Sequence, residues 1–486
     1  MRKLKLSILC SAMSVLILAG TVTAQGTMET YKNEAIGWVE NNKDNLNQAA
    51  RALWDYAETA LLEYQSADYL SNFIESHGFS VERGVADLPT AFVATYGSGK
   101  PVIGILGEYD ALPGLSQEAA LTEKIPVFEG QPGHGCGHNL FGVASIGAAI
   151  AIKEVMQNHD IPGTIKFFGC PAEETVVGKV YMAKKGIFDD LDVCYVWHPG
   201  RTNDVDLGTS NALNNFEVTF YGKTAHAAGD PWNGRSALDA VELMNIGVNF
   251  LREHVTPTVR IHYVIPDAGM APNVVPDYAK VWYYVRGKDR PEVEEVYERV
   301  LKIAEGSATM TDTRHEIYLI TGVYNMMVNR ELARVLHKNL EFAGLPLFTE
   351  QEQEFAREMQ RTLGEDEDGM SVNIEPLEEP QGYTGGGSTD VADVSWIVPT
   401  ASLSTACSPL NAPGHSWAIV SSSGSSIGHK GMRVAAKTIA AAGIETLLDP
   451  SIVEKARAEF MENTKDFTYE SAIPRDQKPR IPVIKK

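Results

Sequence analysis

Cysteine and basic residues are both scarce in this sequence. Five cysteines among 486 residues exclude a small disulfide-stapled scaffold. Lys and Arg total 42 against 63 Asp and Glu, a formal net charge of -21 that disfavours nucleic acid and anionic membranes as partners. Beyond the N-terminus, we expect no apolar run long enough to span a membrane. The 44% hydrophobic content and the length instead predict a globular protein of two or three domains.

The N-terminus has the pattern of a secretory signal. Three cations among the first five residues precede an apolar run from residue 6 to about residue 19. Val22-Thr23-Ala24 then forms a small-residue cleavage site before Gln25. We therefore expect residues 1–24 to be a signal peptide and the mature chain to be exported, to the periplasm or outside the cell.

Alternating strand and helix patterns predict an α/β fold. Apolar runs at residues 102–106, 164–168 and 192–197 are typical of buried strands, and residues 143–155 of a buried helix. This alternation predicts a largely parallel sheet. A segment rich in reactive side chains follows each strand, at the end where open α/β sheets bind ligands.

Residues 211–323 show a different order of patterns: strand, helix, two strands, helix, strand. Ser236 and Asp239 nearly match a capping box at the start of the first of these helices. The order is that of a ferredoxin-like α+β domain. We therefore predict a domain inserted at residues 211–323, which divides a catalytic domain into residues 25–210 and 324–486.

The segment His134-Gly135-Cys136-Gly137-His138 is a candidate metal-binding motif. A thiolate and an imidazole two positions apart can face one ion if the chain turns tightly, which Gly137 permits. On this pattern alone, His134 and His138 both remain candidates for the imidazole ligand.

Three further segments carry side chains of the metal-ligand type. Glu173 and Glu174 are adjacent carboxylates, which either share a cation in a cleft or form a solvated pair at a helix start. His198 follows a strand pattern and His415 lies in a loop, so each is either a ligand or an ordinary loop residue. One Cys, three His and two Glu are enough for two ions with a bridging ligand.

The inserted domain offers three polar candidates. His226 follows a strand pattern, and Asn273 lies in a Pro-bounded turn. Arg286 presents a guanidinium fork that matches a carboxylate. Turn chemistry and a surface cation are the alternative interpretation of these residues.

The chain resembles the metallopeptidase superfamily of aminoacylases, Glu/Gly carboxypeptidases and amino-acid amidohydrolases. The resemblance covers nearly the whole chain after residue 24. It is carried by Gly107 to Leu112, Gly133 to Leu140, Gly169 to Glu174, Trp197 to Pro199, Gly234 to Ala240, Pro272 to Val275, Ser388 to Val391 and Gly428 to Met432.

The resemblance implies a catalytic domain interrupted by a dimerisation or lid domain, and two divalent ions, zinc or manganese. The implied metal ligands are Cys136 (the bridge between the ions), His138, Glu174, His198 and His415. Glu173 would be the general base and then the general acid. His226 would reach the other protomer's site and polarise the scissile carbonyl.

The same resemblance implies a role for four more residues. Asn273 and Arg286 would bind the substrate carboxylate. Glu108 stands where other branches carry a histidine ligand motif. Glu108 and Asp110 would contact the metal ligands and not the ions themselves.

The implied activity is hydrolysis of the amide between an acyl group and a free amino acid, as in p-aminobenzoyl-glutamate. The alternatives are a dipeptidase or carboxypeptidase, and a metal-binding subunit that is active only with a partner. The expected assembly is a homodimer, or a heterodimer with a related subunit.

Overall fold

The computed structural model describes residues 26–383 and 385–482, so the predicted signal peptide lies outside the described residues. The strands are β1 (Ser80–Arg83), β2 (Phe92–Ser98), β3 (Val102–Glu108), β4 (Gly163–Cys170), β5 (Val193–Gly200), β6 (Asp204–Val205), β7 (Ala212–Tyr221), β8 (Arg260–Asp267), β9 (Tyr278–Gly287), β10 (Arg314–Val323) and β11 (Thr400–Ala406).

The helices flank these strands along the whole described chain. They are α1 (residues 26–41), α2 (Lys43–Tyr56), α3 (Tyr64–Ser76), α4 (His138–His159), α5 (Gly178–Lys184), α6 (Ala237–Leu251), α7 (Arg290–Thr311), α8 (Arg330–Ala343), α9 (Glu350–Leu363), α10 (Val391–Ser395), α11 (Trp417–Ser423), α12 (Ser426–Leu448) and α13 (Pro450–Asn463). The predicted fold, an α/β domain with a second domain of the α+β type, is confirmed.

The larger sheet has seven strands in the order β1-β2-β4-β3-β5-β11-β6. Its four central strands, β4, β3, β5 and β11, are parallel to one another, whereas β1, β2 and β6 pair antiparallel. The prediction of a largely parallel sheet is therefore right for the centre and wrong for the margins. Strands β1 and β2 are joined by a connection of only eight residues, which allows an antiparallel pair but not a parallel one.

Helix α4 is the core helix of the larger domain. It starts at His138, earlier than the apolar pattern at residue 143 predicted, because the polar Gly-rich motif runs directly into its first turn. By length and composition α4 could cross a membrane, which corrects the expectation that no such segment exists. Of the most apolar 18-residue stretch of α4, 94% is buried, and the helix packs against β3 and α12. Its apolar character is therefore explained by its place in the core.

The second sheet has four antiparallel strands in the order β10-β7-β9-β8. Along the chain they alternate with α6 and α7 in the predicted order, and both helices pack on this sheet around a core of their own. Helix α6 starts at the predicted cap, where the Ser236 side chain accepts a hydrogen bond from the Asp239 backbone N–H. Strand β8 lies at an edge of this sheet, with its outer side unpaired among the described strands.

Candidate metal centre

The carboxyl ends of neighbouring strands bring distant residues together. Glu108 is the last residue of β3, and Glu173 follows the end of the adjacent β4 after a short turn. His198 lies on the other neighbour, β5, but within the strand and not past its end as predicted. Strand β5 continues beyond His198 because its pairing with β11 runs to Gly200.

The start of α4 contributes a thiol and an imidazole. Gly137 has a left-handed backbone conformation (φ 80°), which turns the chain tightly between Cys136 and the helix. The Cys136 sulfur lies 3.3 Å from Nε2 of His198. The other histidine of the motif, His134, points away, with Nε2 2.9 Å from the carbonyl oxygen of Leu53.

Two groups of possible ligand atoms share the Cys136 sulfur. One group comprises Cys136, His138 and His198, and the other comprises Cys136, Glu174 and His415. Within each group the atoms lie within 4.8 Å of one another. A third group, formed by Glu108, His138 and Glu173, meets the same criterion. The five residues expected as ligands therefore converge, with Cys136 common to both sets.

The two adjacent glutamates are presented by a strained turn. They begin a short 3-10 helix, Glu173–Thr175, that is flanked by Ala172 (φ 57°) and Val176 (φ 52°) in left-handed conformations. Such conformations cost a non-glycine residue roughly 1–2 kcal/mol each. The surrounding packing therefore holds these carboxylates in a conformation that the local sequence does not favour.

Asp110 orients two of the candidate ligands. One of its carboxylate oxygens lies 3.1 Å from Nδ1 of His138, and the other accepts a 2.9 Å hydrogen bond from the Glu174 backbone N–H. Fixing Nδ1 turns the opposite ring nitrogen toward the ligand groups. That nitrogen, Nε2 of His138, and Oε1 of Glu174 are both buried without a hydrogen-bond partner. Orphaned acceptors of these types fit a divalent cation.

The electrostatics of the cluster also fit a cation. Burial raises the pKa of the Cys136 thiol to about 12 and that of Glu174 to about 7, and it raises the pKa of Glu173 well above its usual value. Burial lowers the pKa of His198 to about 4, so this imidazole stays neutral, as a metal ligand requires. A positive ion between these groups would favour their deprotonated forms.

A cavity of about 530 Å³ opens beside the cluster and extends to the smaller domain. Cys136, Glu173 and Glu174 line one part of it, and Arg286 of β9 lines another. Arg286 donates a 3.0 Å hydrogen bond to the Ser388 hydroxyl, whereas its Nε is buried without a partner. An unpaired buried guanidinium nitrogen is suited to bind an anion entering this cavity.

A second cavity, of about 590 Å³, meets the first one at the cluster. Cys136, His198 and His415 line both cavities. The candidate metal centre therefore lies between two spaces, each large enough for part of a small molecule.

His226 and Asn273 do not lie at the cavity of their own chain. They are exposed neighbours on the smaller domain, where the Ala227 backbone N–H donates to the Asn273 carbonyl oxygen at 3.0 Å. The expectation that Asn273 and Arg286 act together on one carboxylate is therefore not met within a single chain. The reason is that the turn bearing Asn273 precedes β9 and pairs with the His226 segment, whereas Arg286 lies near the other end of that strand.

Two buried residues of this region were not singled out in the sequence. Lys179 of α5 forms ion pairs with Glu108 (2.7 Å) and Asp390 (2.5 Å). Asp390 belongs to a stretch that carries the family resemblance, which was a usable signal. Lys179 follows a glycine at a helix start and has no pattern that distinguishes it from a surface lysine.

Known proteins are similar to this chain in sequence and in fold. The chain is 38% identical to one of the subunits of p-aminobenzoyl-glutamate hydrolase of Escherichia coli, over 91% of this chain and 97% of that protein. It is 27% identical to the Xaa-Arg dipeptidase of Mus musculus, over 91% and 94% respectively.

Among solved structures, the aminobenzoyl-glutamate utilization protein of Klebsiella pneumoniae shares the fold, with a TM-score of 0.59. It is 17% identical, and the match covers 84% of this chain and 97% of that one. A Bacillus subtilis protein described as a dinuclear metal-binding peptidase of family M20 has a TM-score of 0.53 at 18% identity, with 84% and 99% covered.

The model of the peptidase family M20/M25/M40 matches residues 104–393, more than half of the chain, from within β3 to within α10. This range contains every candidate site residue above except His415. The predicted resemblance is confirmed: the chain belongs to peptidase family M20/M25/M40 and is a hydrolase of its metallopeptidase and amidohydrolase type.

Proposed function

We propose that this protein cleaves the amide between an acyl group and a free amino acid, with p-aminobenzoyl-glutamate as the leading candidate substrate. The observation that carries the proposal is the unpartnered Nε of Arg286, which lies in the same cavity as Cys136 and Glu174. A free carboxylate on the amino-acid half of the substrate would accept the hydrogen bond that this guanidinium nitrogen can still donate. The 38% identical relative is named for hydrolysis of p-aminobenzoyl-glutamate, which supports the choice of substrate.

Two divalent ions, zinc or manganese, would be held by the two ligand groups that share Cys136. Cys136, His138 and His198 would hold one ion, and Cys136, Glu174 and His415 the other. Thiolate and imidazole ligands suit zinc, whereas the carboxylate also accommodates manganese. When bound, such ions polarise a carbonyl group and make water more acidic.

Glu173 would move the proton during the reaction. Burial raises the pKa of this carboxyl well above its usual value, and the neighbouring Glu108 carboxylate raises it further. A carboxyl of raised pKa can accept a proton from the attacking water and pass it to the leaving amine. Arg286 would hold the amino-acid half, and the second cavity gives the acyl half a separate place on the other side of the centre.

The smaller domain would form a dimer, with a second copy or with a related subunit. Its edge strand β8 exposes Val264 and Ile265, and α6 exposes Ile246 and Phe250. An apolar edge strand of this kind is a template for pairing with another chain. In such a dimer His226 and Asn273 would be available to the partner's cavity, which would explain their exposure here.

A dipeptidase is the second candidate, favoured by one observation. Asp206 lines the same cavity as Arg286 and offers a carboxylate to a cationic side chain. Two relatives, 26% and 27% identical, are named Xaa-Arg dipeptidase, whose substrates carry such a side chain. An arginine at the carboxyl end of a dipeptide could then engage Arg286 through its carboxylate and Asp206 through its guanidinium.

An exported location is a further part of the proposal, and a chain that is active only with a partner subunit is an alternative to it. The other named subunit of the Escherichia coli hydrolase and its Haemophilus influenzae homologue are 30% and 29% identical over about half of this chain, which supports a related chain as partner. The signal-like pattern of residues 1–24 supports the exported location. Sequencing the N-terminus of the protein from an exported fraction should identify Gln25 as the first residue.

The decisive experiment is a substrate panel assayed with the purified chain. We expect release of p-aminobenzoate and glutamate from p-aminobenzoyl-glutamate, faster than cleavage of Xaa-Arg dipeptides. Faster cleavage of the dipeptides would favour the second candidate. Activity that arises only after addition of a homologue of the hydrolase's other subunit would identify a partner-dependent chain, and no cleavage of any amide would contradict the proposal.

A further inference from the structure

Lys179 is a fully buried cation beside the candidate metal centre. Its ammonium group lies 2.7 Å from Oε1 of Glu108 and 2.5 Å from Oδ1 of Asp390. Burial alone would lower the pKa of Lys179, but the Asp390 and Glu108 carboxylates raise it well above its usual value. The lysine is therefore charged and bound to both carboxylates.

Asp390 fixes the position of this lysine. Its second carboxylate oxygen accepts a 2.8 Å hydrogen bond from the Lys179 backbone N–H at the start of α5. The same aspartate thus contacts both the backbone and the side chain of Lys179. A buried lysine held twice by one carboxylate has little freedom to release its other partner, Glu108.

Glu108 faces the ligand atoms with its remaining oxygen. Oε2 of Glu108 lies 3.3 Å from Nε2 of His138, the ring nitrogen that has no hydrogen-bond partner. Glu108, His138 and Glu173 form the third group of possible ligand atoms. Glu108 is therefore a carboxylate with the chemistry and the location of a metal ligand, although an ammonium group occupies its other oxygen.

We propose that Lys179 is a positioning residue that holds Glu108 back from the ion at His138. Without the lysine, the Glu108 carboxylate would turn toward that ion and add a ligand to it. The added negative ligand would bind the ion more tightly and would fill the coordination position that the substrate carbonyl or water needs. This inference rests on the two-metal site proposed above.

The test compares cobalt(II) binding and turnover in the wild-type protein and four variants. Lys179→Met removes the ion pair that restrains Glu108. Lys179→Met combined with Asp390→Asn does the same without leaving a buried, unpaired charge at position 390, and it is used in case the single variant does not fold. Lys179→Met combined with Glu108→Gln removes both the restraint and the added ligand. Lys185→Met is the matched control, because this lysine lies directly after α5 and pairs with Asp87 at the surface.

We expect the two variants with a free Glu108 to bind cobalt(II) about tenfold more tightly or more, the scale by which outer partners of ligands alter affinity. Their visible absorption should weaken, as it does when four-coordinate cobalt(II) gains a ligand, and kcat should fall. The Glu108→Gln combination should restore the wild-type affinity and spectrum, and Lys185→Met should not change them.

The outcomes separate this inference from the proposed function. Weaker or unchanged cobalt(II) binding with an unchanged spectrum in both variants with a free Glu108 would overturn the inference while leaving the two-metal site intact. Retention of the tight binding after Glu108→Gln would also overturn it. A wild-type protein that binds no divalent ion would contradict the proposed function itself, and this inference with it.

Discussion

Replacing Arg286 tests the substrate-binding argument most directly. The Arg286→Met variant keeps much of the side-chain volume but removes the guanidinium, which has one buried unpaired nitrogen and one bond to Ser388. Each hydrogen bond to a charged group contributes about 1.5–3 kcal/mol, so two hydrogen bonds from the guanidinium to a carboxylate contribute roughly 3–6 kcal/mol. At about 1.4 kcal/mol per tenfold, kcat/KM should fall by ~10²- to 10⁴-fold.

The assay uses two substrates that differ only in the carboxylate. One is an N-acyl glutamate, and the other carries a primary amide in place of its α-carboxylate. The loss in Arg286→Met should be large for the first substrate and small for the second. Arg299→Met is the control, since this partly exposed arginine of the same domain donates a hydrogen bond to the backbone carbonyl of His254 and does not line the cavity. Equal losses on both substrates would refute the assignment of Arg286 to the carboxylate.

Three further predictions concern the metal ligands, the proton carrier and the response to acid. Cys136→Ser should lower the divalent metal bound per chain in elemental analysis, because both ligand groups lose their shared atom; an unchanged content would contradict the bridging role. Glu173→Gln should retain its metal yet lose ~10²- to 10⁴-fold in kcat, and retained turnover would exclude Glu173 as the proton carrier. Burial lowers the pKa of His429 to about 4 from 6.5, so the unfolded chain takes up the proton first and stability falls as the pH drops from about 6.5 to 4. His429→Gln should remove roughly 2 kcal/mol of the stability loss between pH 7.5 and pH 5 in denaturant titrations, and an unchanged loss would show that His429 is not responsible.

The sequence predicts the centre of the fold better than its margins. Strands β3, β4 and β5 are recognisable because burial on both faces requires continuous apolar runs. Strands β1 and β6 lack that signal, because they are short and partly exposed at or near the sheet edges. Their antiparallel pairing depends on tertiary contacts that no local pattern contains.

The candidate site divides in a similar way. Cys136, His138 and Glu174 stand in short motifs whose residue types already indicate metal chemistry. The role of Lys179 could not be predicted, because it depends on contacts with Glu108 and with Asp390, which is far away in the sequence. The positions of His226 and Asn273 outside their own cavity follow from the pairing of two turns, which spacing in the sequence does not reveal.

The pairing of β5 with β11 also constrains how the chain can fold during synthesis. Ser404 lies beside His198 in this parallel pair, although 206 residues separate them. At about 5–20 residues per second, a ribosome needs roughly 10–40 s to make the intervening chain. During that time β5 has an open edge, whereas the inserted sheet, β7 to β10, is synthesised in full before β11 is made. The nascent chain should therefore be most prone to aggregate, and most dependent on chaperones, in the interval between synthesis of β5 and of β11.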